Sequence, residues 1–381
     1  MPHHNTVLRD ILKFVPWQRF ETLVEEHGAD ARVRRLPSKG QFLALLYGQL
    51  SGALSLREIE AGLLSHRARL YHVGCKDPVR RSTLSDANAQ RPAAVFAQLL
   101  ATMIKQAHRG LRRKLAETTY LIDATSVRLS ERSAGWARFS AGVCGAKVHV
   151  IYDADADRPI YAAVSAANVN DITAAQQMPI EPGATYVFDL GYYDYAFWAS
   201  LDAAGCRIVT RFKSNTPLKV VEELPIASGG NVLSDRIGFL PARQARNRRN
   251  PMQDAVREIC VTTETGKVLR ILSNDLDAGA EEIAELYRRR WAIELFFRWV
   301  KQTLKITRFV GTSENAIRIQ IAVALIAFLL LRMAQAAQRA IPSPTMFARL
   351  VRANLMHRRS IDELLHQPEP IQDQRQICLA L

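Results

Sequence analysis

Apolar residues recur at helical spacing from the start of the chain. Leu8, Ile11, Leu12, Phe14 and Val15 are followed, after a break at Pro16, by Phe20, Leu23 and Val24. Ser38 is placed to cap a helix through Leu50, with Phe42, Leu43, Leu45, Leu46 and Leu50 turned inward and Ser51-Gly52 ending it. Ser55 then opens a shorter helix through Leu64, and Glu58 three residues on completes a capping box. Helix, tight turn and short helix are compatible with a helix-turn-helix, although many helical hairpins share the pattern. Residues 75–92 are polar and basic, and residues 93–106 read as another amphipathic helix.

Beyond residue 115 the period shortens to two. Residues 119–123, 147–152, 160–165, 185–189 and 207–211 read as strands, with a turn-rich segment at 153–157. Short helices are expected at 171–177 and 195–204. Strands followed by alternating strand and helix indicate a mixed α/β sheet. Residues 212–274 break the rhythm with short alternating runs and a Gly229-Gly230 turn, and read as a β-rich insertion. From Ala280 one long helix is expected through Lys301, with Glu281, Glu282 and Glu285 at the positive end of its dipole. A helical tail follows over about 315–365.

Charge adds a partner to this outline. The 381 residues hold 51 Lys and Arg against 37 Asp and Glu, a net charge of +14, while 48% are apolar. That composition excludes a disordered chain and points to a polyanion, nucleic acid ahead of an acidic membrane surface. The longest apolar run, 321–331, falls short of the roughly 20 residues that span a bilayer, so a buried helix and no membrane partner are expected. Residues 1–5 lack the basic-then-apolar pattern of a secretion signal, and a cytoplasmic location is expected, at the nucleoid when on DNA. Cysteines 75, 144, 206, 260 and 378 include no close pair, so neither a disulfide framework nor a structural zinc is expected. Arg243, Arg246, Arg248 and Arg249 read either as a solvated loop or as a phosphate-contacting one.

Candidate chemistry rests on three carboxylates. Asp123 and Asp189 are each expected to end a strand, where functional groups of α/β sheets collect, and Glu294 lies on the long helix. Taken singly, Asp123 reads as a turn or cap residue and Glu294 as an ion pair with Arg290 or Arg298. The helix changes that reading. Tyr287, Arg290, Glu294 and Lys301 share one stripe, while Leu286, Ile293, Leu295, Phe296 and Val300 cover much of the rest. One carboxylate between cations suits a phosphodiester held with hard divalent cations. Two such ions about 4 Å apart can serve both oxygens of a phosphoryl transfer. Lys147 and His149 share a strand face, and His149 reads either as a core histidine or as a neighbour of the acids. Trp291 and Trp299 read as core aromatics or as platforms for an unpaired base.

The run from Tyr287 through Arg290 and Glu294 to Lys301 fills a Tyr-x2-Arg-x3-Glu-x6-Lys signature in full. With it, the chain resembles the DDE transposases of bacterial insertion sequences, specifically the insertion-sequence-4 group. Leu121-Ile122-Asp123-Ala124-Thr125-Ser126, Phe188-Asp189-Leu190-Gly191-Tyr192 and the segment from Leu304 to Ser313 are similar to that group, as is Arg81 to Asn88 to a helical domain some members carry. The resemblance implies a ribonuclease-H-like core over 116–315, a helical DNA-binding domain over 1–115 and a helical region over 316–381. It implies Mg²⁺ (two ions, with Mn²⁺ as a substitute) held by Asp123, Asp189 and Glu294, and phosphate contacts from Tyr287, Arg290 and Lys301, with Arg298 beside them. It further implies double-stranded DNA as substrate, both terminal inverted repeats and target, cut and joined by a homodimeric synapse. Relatives often have His-Asp at the strand–helix joint where this chain has Asn170-Asp171. Two other readings stay open: a nuclease of the same core without strand transfer, and a DNA-binding protein whose catalysis has been lost.

Overall fold

A computed structural model describes residues 5–75, 78–109, 118–227, 229–245, 248–304, 309–338 and 340–365. The chain opens with α1 (Val7–Leu12), α2 (Trp17–Glu26), α3 (Ser38–Ser51), α4 (Leu56–Ser65), α5 (Arg81–Gln90) and α6 (Ala93–Arg109). The capping box of α4 forms: Ser55 Oγ accepts from the Glu58 N–H (3.2 Å), and the Glu58 carboxylate accepts from the Leu54 N–H (2.8 Å). Gly52 makes the preceding turn at φ +80°, a conformation that suits glycine. The cap expected at Ser38 is different. Ser38 lies inside α3, and its N–H and hydroxyl both donate to Asp30 Oδ1 (2.7 and 2.8 Å). Helix α5 carries few apolar positions because it turns polar groups inward. Its buried Asn88 accepts from Gln41 (2.8 Å), which in turn accepts from buried Arg91 (3.0 Å).

The strands are β1 (Thr119–Leu129), β2 (Arg138–Ser140), β3 (Val143–Asp153), β4 (Arg158–Ala166), β5 (Thr185–Phe188) and β6 (Arg207–Arg211), then β7 (Lys219–Glu223), β8 (Val232–Phe239), β9 (Arg243–Ala245), β10 (Arg248–Arg249), β11 (Val256–Thr262) and β12 (Val268–Ser273). Short α-helices interleave with them: α7 (Ala134–Ala137), α8 (Asp171–Ala175) and α9 (Tyr195–Ala203). In the sheet β4–β3–β1–β5–β6, β3 runs antiparallel to β1 and β4, while β1, β5 and β6 are parallel. This is a ribonuclease-H-like sheet. Strand β12 pairs antiparallel with β6, and β11, β8 and β7 follow in order. The residues read as an insertion thus prolong the same sheet; among the described residues, β9 and β10 alone form a ribbon apart from it.

Helices α10 (Ala280–Arg289), α11 (Trp291–Thr303), α12 (Glu314–Ala336), α13 (Pro344–Asn354) and α14 (Ile361–Leu365) complete the described residues. Helix α12 is long and apolar enough to cross a membrane, but 83% of its most apolar window is buried inside the protein. It packs against α3, α5, α6, α11 and α13, which joins both ends of the chain in one helical layer. Asn315 fixes that junction: its Oδ1 accepts from the Ala93 N–H (3.1 Å) and its amide donates to Asn88 O (3.0 Å).

Candidate active site

Strand alternation decides which side chains meet. Leu121, Val187 and Val209 lie in the core under the helical layer, whereas Tyr120, Ile122, Phe188 and Ile208 lie in the core of the opposite face with α9. Period-two geometry therefore turns Asp123, Asp189 and Arg211 toward the helical layer. The β1–β5 ladder ends at the pair Ile122–Phe188, so Asp123 and Asp189 are the next residues on adjacent parallel strands. Asp123 does not end its strand as expected: β1 continues to Leu129 because β3 still pairs with it there. Asp189 does leave the sheet, and its Oδ1 accepts from the Gly191 N–H (2.8 Å).

The expected single helix over 280–301 is two helices. At Arg290 the hydrogen bonds shorten to three-residue spacing, Arg290 N–H to Tyr287 O (3.1 Å) and Ile293 N–H to Arg290 O (3.2 Å). No Pro or Gly marks the break. Its cause is tertiary: α10 covers β5, β6 and β12, whereas α11 covers β1. The stripe survives the break. The Arg290 guanidinium sits between two acids, with Nη2 2.5 Å from Glu294 Oε1 and Nη1 3.7 Å from Asp123 Oδ2, and lies 5.9 Å from the ring centroid of buried Tyr287. Lys301 and Arg298 stand with Asp123, Thr125 and Glu294 around a groove of about 470 Å³. Leu295, expected on the apolar surface, is exposed, and Phe297 is buried in its stead.

Burial pushes the Asp123 carboxyl up to about 6; the negative charges of Asp189 and Glu294 add to this, and the Ala124 N–H and Arg290 oppose it. Burial lowers the Lys301 ammonium, and Asp123 opposes that shift. Among the described residues no three acidic, His or Cys side chains already form a metal cage. Arg290 fills the space between Asp123 and Glu294. The donors are all carboxylate oxygens, the set that hard divalent cations take, and three acids share this one sheet end.

The family profile described as "Transposase DDE domain" matches residues 114–330, which contain all three acids. The chain belongs to the DDE transposase family. A Sinorhizobium fredii protein named as a transposase, y4zB, is 39% identical over 292 residues, 76% of this chain and 80% of that one. A Geobacillus stearothermophilus protein, named as the transposase of insertion element IS5377, is 30% identical over 66% of each chain. A profile described as a domain of unknown function matches residues 3–76. A solved cryo-EM structure, the piggyBac transposase synaptic complex with hairpin DNA, aligns over 96% of this chain and 83% of its own at TM-score 0.47 and 11% identity, a likeness too loose to inform the site.

Other candidates of this DDE transposase fall at varied distances from the acids. Trp299 packs edge-on against Phe328 (5.2 Å), as a core aromatic does, whereas Trp291 is 51% exposed with Arg298 over it (5.9 Å). Arg243, Arg248 and Arg249 form the β9–β10 ribbon, and Arg246 lies outside the described residues. Arg248 is already paired with Asp194 (3.1 Å). Gln244 anchors the ribbon, accepting from the Tyr195 N–H (2.9 Å) and donating to Tyr193 O (2.8 Å). His149 is fully buried and its Nε2 lies 2.8 Å from Ser165 Oγ, yet its Nδ1 is 3.8 Å from Asp171. Sequence reasoning missed Arg211, which ends β6 on the same face as the acids and acts electrostatically on Tyr287. Position at the carboxyl end of a parallel strand was its available signal.

Proposed function

We propose that this transposase binds the terminal inverted repeats of an insertion sequence and catalyses cleavage and strand transfer there. Asp123, Asp189 and Glu294 would hold Mg²⁺, or Mn²⁺ in its place. The observation that carries the reading is the juxtaposition of Asp123 and Asp189 at one register step, with Arg290 bridging Asp123 to Glu294 and an open groove beside Asp123 and Glu294. Bound there, divalent cations supply Lewis-acid neutralisation of charge on the phosphate oxygens.

The chain's own side chains do the positioning. In the protein alone, Arg290 neutralises Asp123 and Glu294. A phosphodiester entering the groove offers its guanidinium a stronger, bidentate partner and releases both carboxylates. Lys301 and Arg298 wall the groove and clamp adjoining phosphates. Tyr287 is too buried to reach far into solvent, and it holds the Arg290 plane from beneath. Two ends must be held together for joining, so a homodimer on double-stranded DNA is the functional unit.

The test is a labelled duplex ending in the flanking inverted repeat, with and without Mg²⁺, using wild type beside Glu294→Ala. Mg²⁺-dependent nicking at the repeat boundary, absent in the variant, is expected, and strand-transfer product should follow with target DNA. Cleavage without joining would leave a nuclease. Specific binding without cleavage would leave a DNA-binding protein.

A further inference from the structure

A fourth carboxylate approaches the triad from the other side of the sheet. Lys147 and His149 rise from β3 on the face away from α10 and α11, and both point to Asp171 at the start of α8. Lys147 Nζ donates to Asp171 Oδ1 (3.0 Å) and to Val169 O (3.0 Å), which fixes the carboxylate. The opposite oxygen is turned to the active site. A Cβ placed on Gly191 would meet Asp189 Oδ1 at 3.0 Å and Asp171 Oδ2 at 3.4 Å, so the two acids flank one small space over the end of β5.

A second observation points to a ligand in that space. Tyr192 is 1% exposed, and its hydroxyl has no hydrogen-bond partner among the described residues. The same phenol feels the charges of Asp123, Asp171 and Asp189 together. A buried hydroxyl is costly to leave unpaired, and the nearby carboxylates make the neighbourhood fit for a cation with its water. Mg²⁺ keeps several waters when proteins bind it. Such waters donate to carboxylates and accept from a phenol.

We infer that Asp171 is a positioning residue of the metal site, an outer carboxylate that accepts hydrogen bonds from the water of the divalent cation beside Asp189, with the Tyr192 hydroxyl as its complementary donor. The inference rests on the assignment of Asp123, Asp189 and Glu294 as metal ligands. It gives Lys147 a task as well, since its bonds hold Asp171 in the orientation that faces Asp189.

Mn²⁺ titration of the full chain without DNA, followed by the spin-resonance signal of the free ion, tests it. Asp171→Asn is expected to weaken Mn²⁺ binding about tenfold, the scale of lost outer partners. Tyr192→Phe is expected to weaken it several-fold with no loss of metal-free melting temperature, because no described protein group bonds that hydroxyl. If Asp171→Asn fails to fold, Tyr192→Phe decides alone. Wild-type Mn²⁺ affinity in the folded variants, while Asp189→Asn has lost the ion, would overturn the inference and spare the triad. Unchanged binding in Asp189→Asn would instead bring down the triad assignment.

Discussion

Replacing Asp123 by Asn should stabilise the metal-free protein, and by an amount that depends on pH. An aspartate in the unfolded chain titrates near its ordinary value of 3.8, whereas burial and the neighbouring acids hold Asp123 near 6. Its side chain is only 18% exposed, so solvent screens little of this. Below pH 3.8 the group is protonated in both states and costs nothing. Between pH 3.8 and 6 the unfolded chain has released this proton while the folded state keeps it, so a penalty of about 3 kcal/mol builds up over that window and is complete once the folded group ionises. Asn keeps the shape and can still accept the Ala124 N–H, but it never charges. Urea denaturation of both proteins from about pH 4 to pH 8, in chelator, is the assay. The stability difference should grow in favour of the Asp123→Asn variant by about 2–3 kcal/mol across that range. Saturating Mg²⁺ at neutral pH should restore the wild type and not the variant. A difference that stays flat with pH would refute the account of Asp123 as an acid raised by burial and by its acidic neighbours.

Arg290→Ala removes a competitor for the two acids, so Mn²⁺ binding without DNA should tighten, while DNA binding weakens and its salt slope falls by about one ion. Weaker Mn²⁺ binding in that variant would contradict the placeholder role of the guanidinium. Asp235 and Arg257 form a buried two-pronged pair across β8 and β11 (2.7 and 2.6 Å, 2% and 5% exposed). Asp235→Ala leaves a guanidinium buried without its acid and should cost about 3–5 kcal/mol by denaturant titration. A loss under about 1 kcal/mol would mean that water reaches Arg257 once Asp235 is gone.

Much of this fold was legible because its elements obey one period at a time. The strands of the catalytic sheet and the amphipathic α6 showed themselves through alternation or helical spacing. The failures share a cause, which is that tertiary partners override local signal. Strand β1 outlasts Asp123 because β3 keeps pairing with it. The helix breaks at Arg290 because its two halves cover different strands. Helix α5 hid behind polar residues that Gln41 and Arg91 satisfy inside the protein. Asp123, Asp189 and Glu294 could be named because they sit in recognisable local patterns. The nearness of Asp171 and Tyr192 to them could not, since it depends on a helix from one face of the sheet reaching over the end of β5.

The acids at this sheet end also explain why so many cations gather beside them. Two like charges about 4 Å apart repel by roughly 4 kcal/mol at a protein surface, so four carboxylates at one edge would endanger a fold of ordinary stability. Each of these acids has a local relief. Below about pH 6 Asp123 holds a proton, Arg290 spans Asp123 and Glu294, and Lys147 pairs with Asp171. On the proposed function, a divalent cation would replace the Arg290 bridge between the acids, and a phosphate would give that guanidinium a new partner. The Lys147–Asp171 pair lies outside that groove, and on the inference above it serves as the fixed point. On the proposed function, the charges that burden the protein on its own predict that metal and DNA bind together more tightly than either does alone.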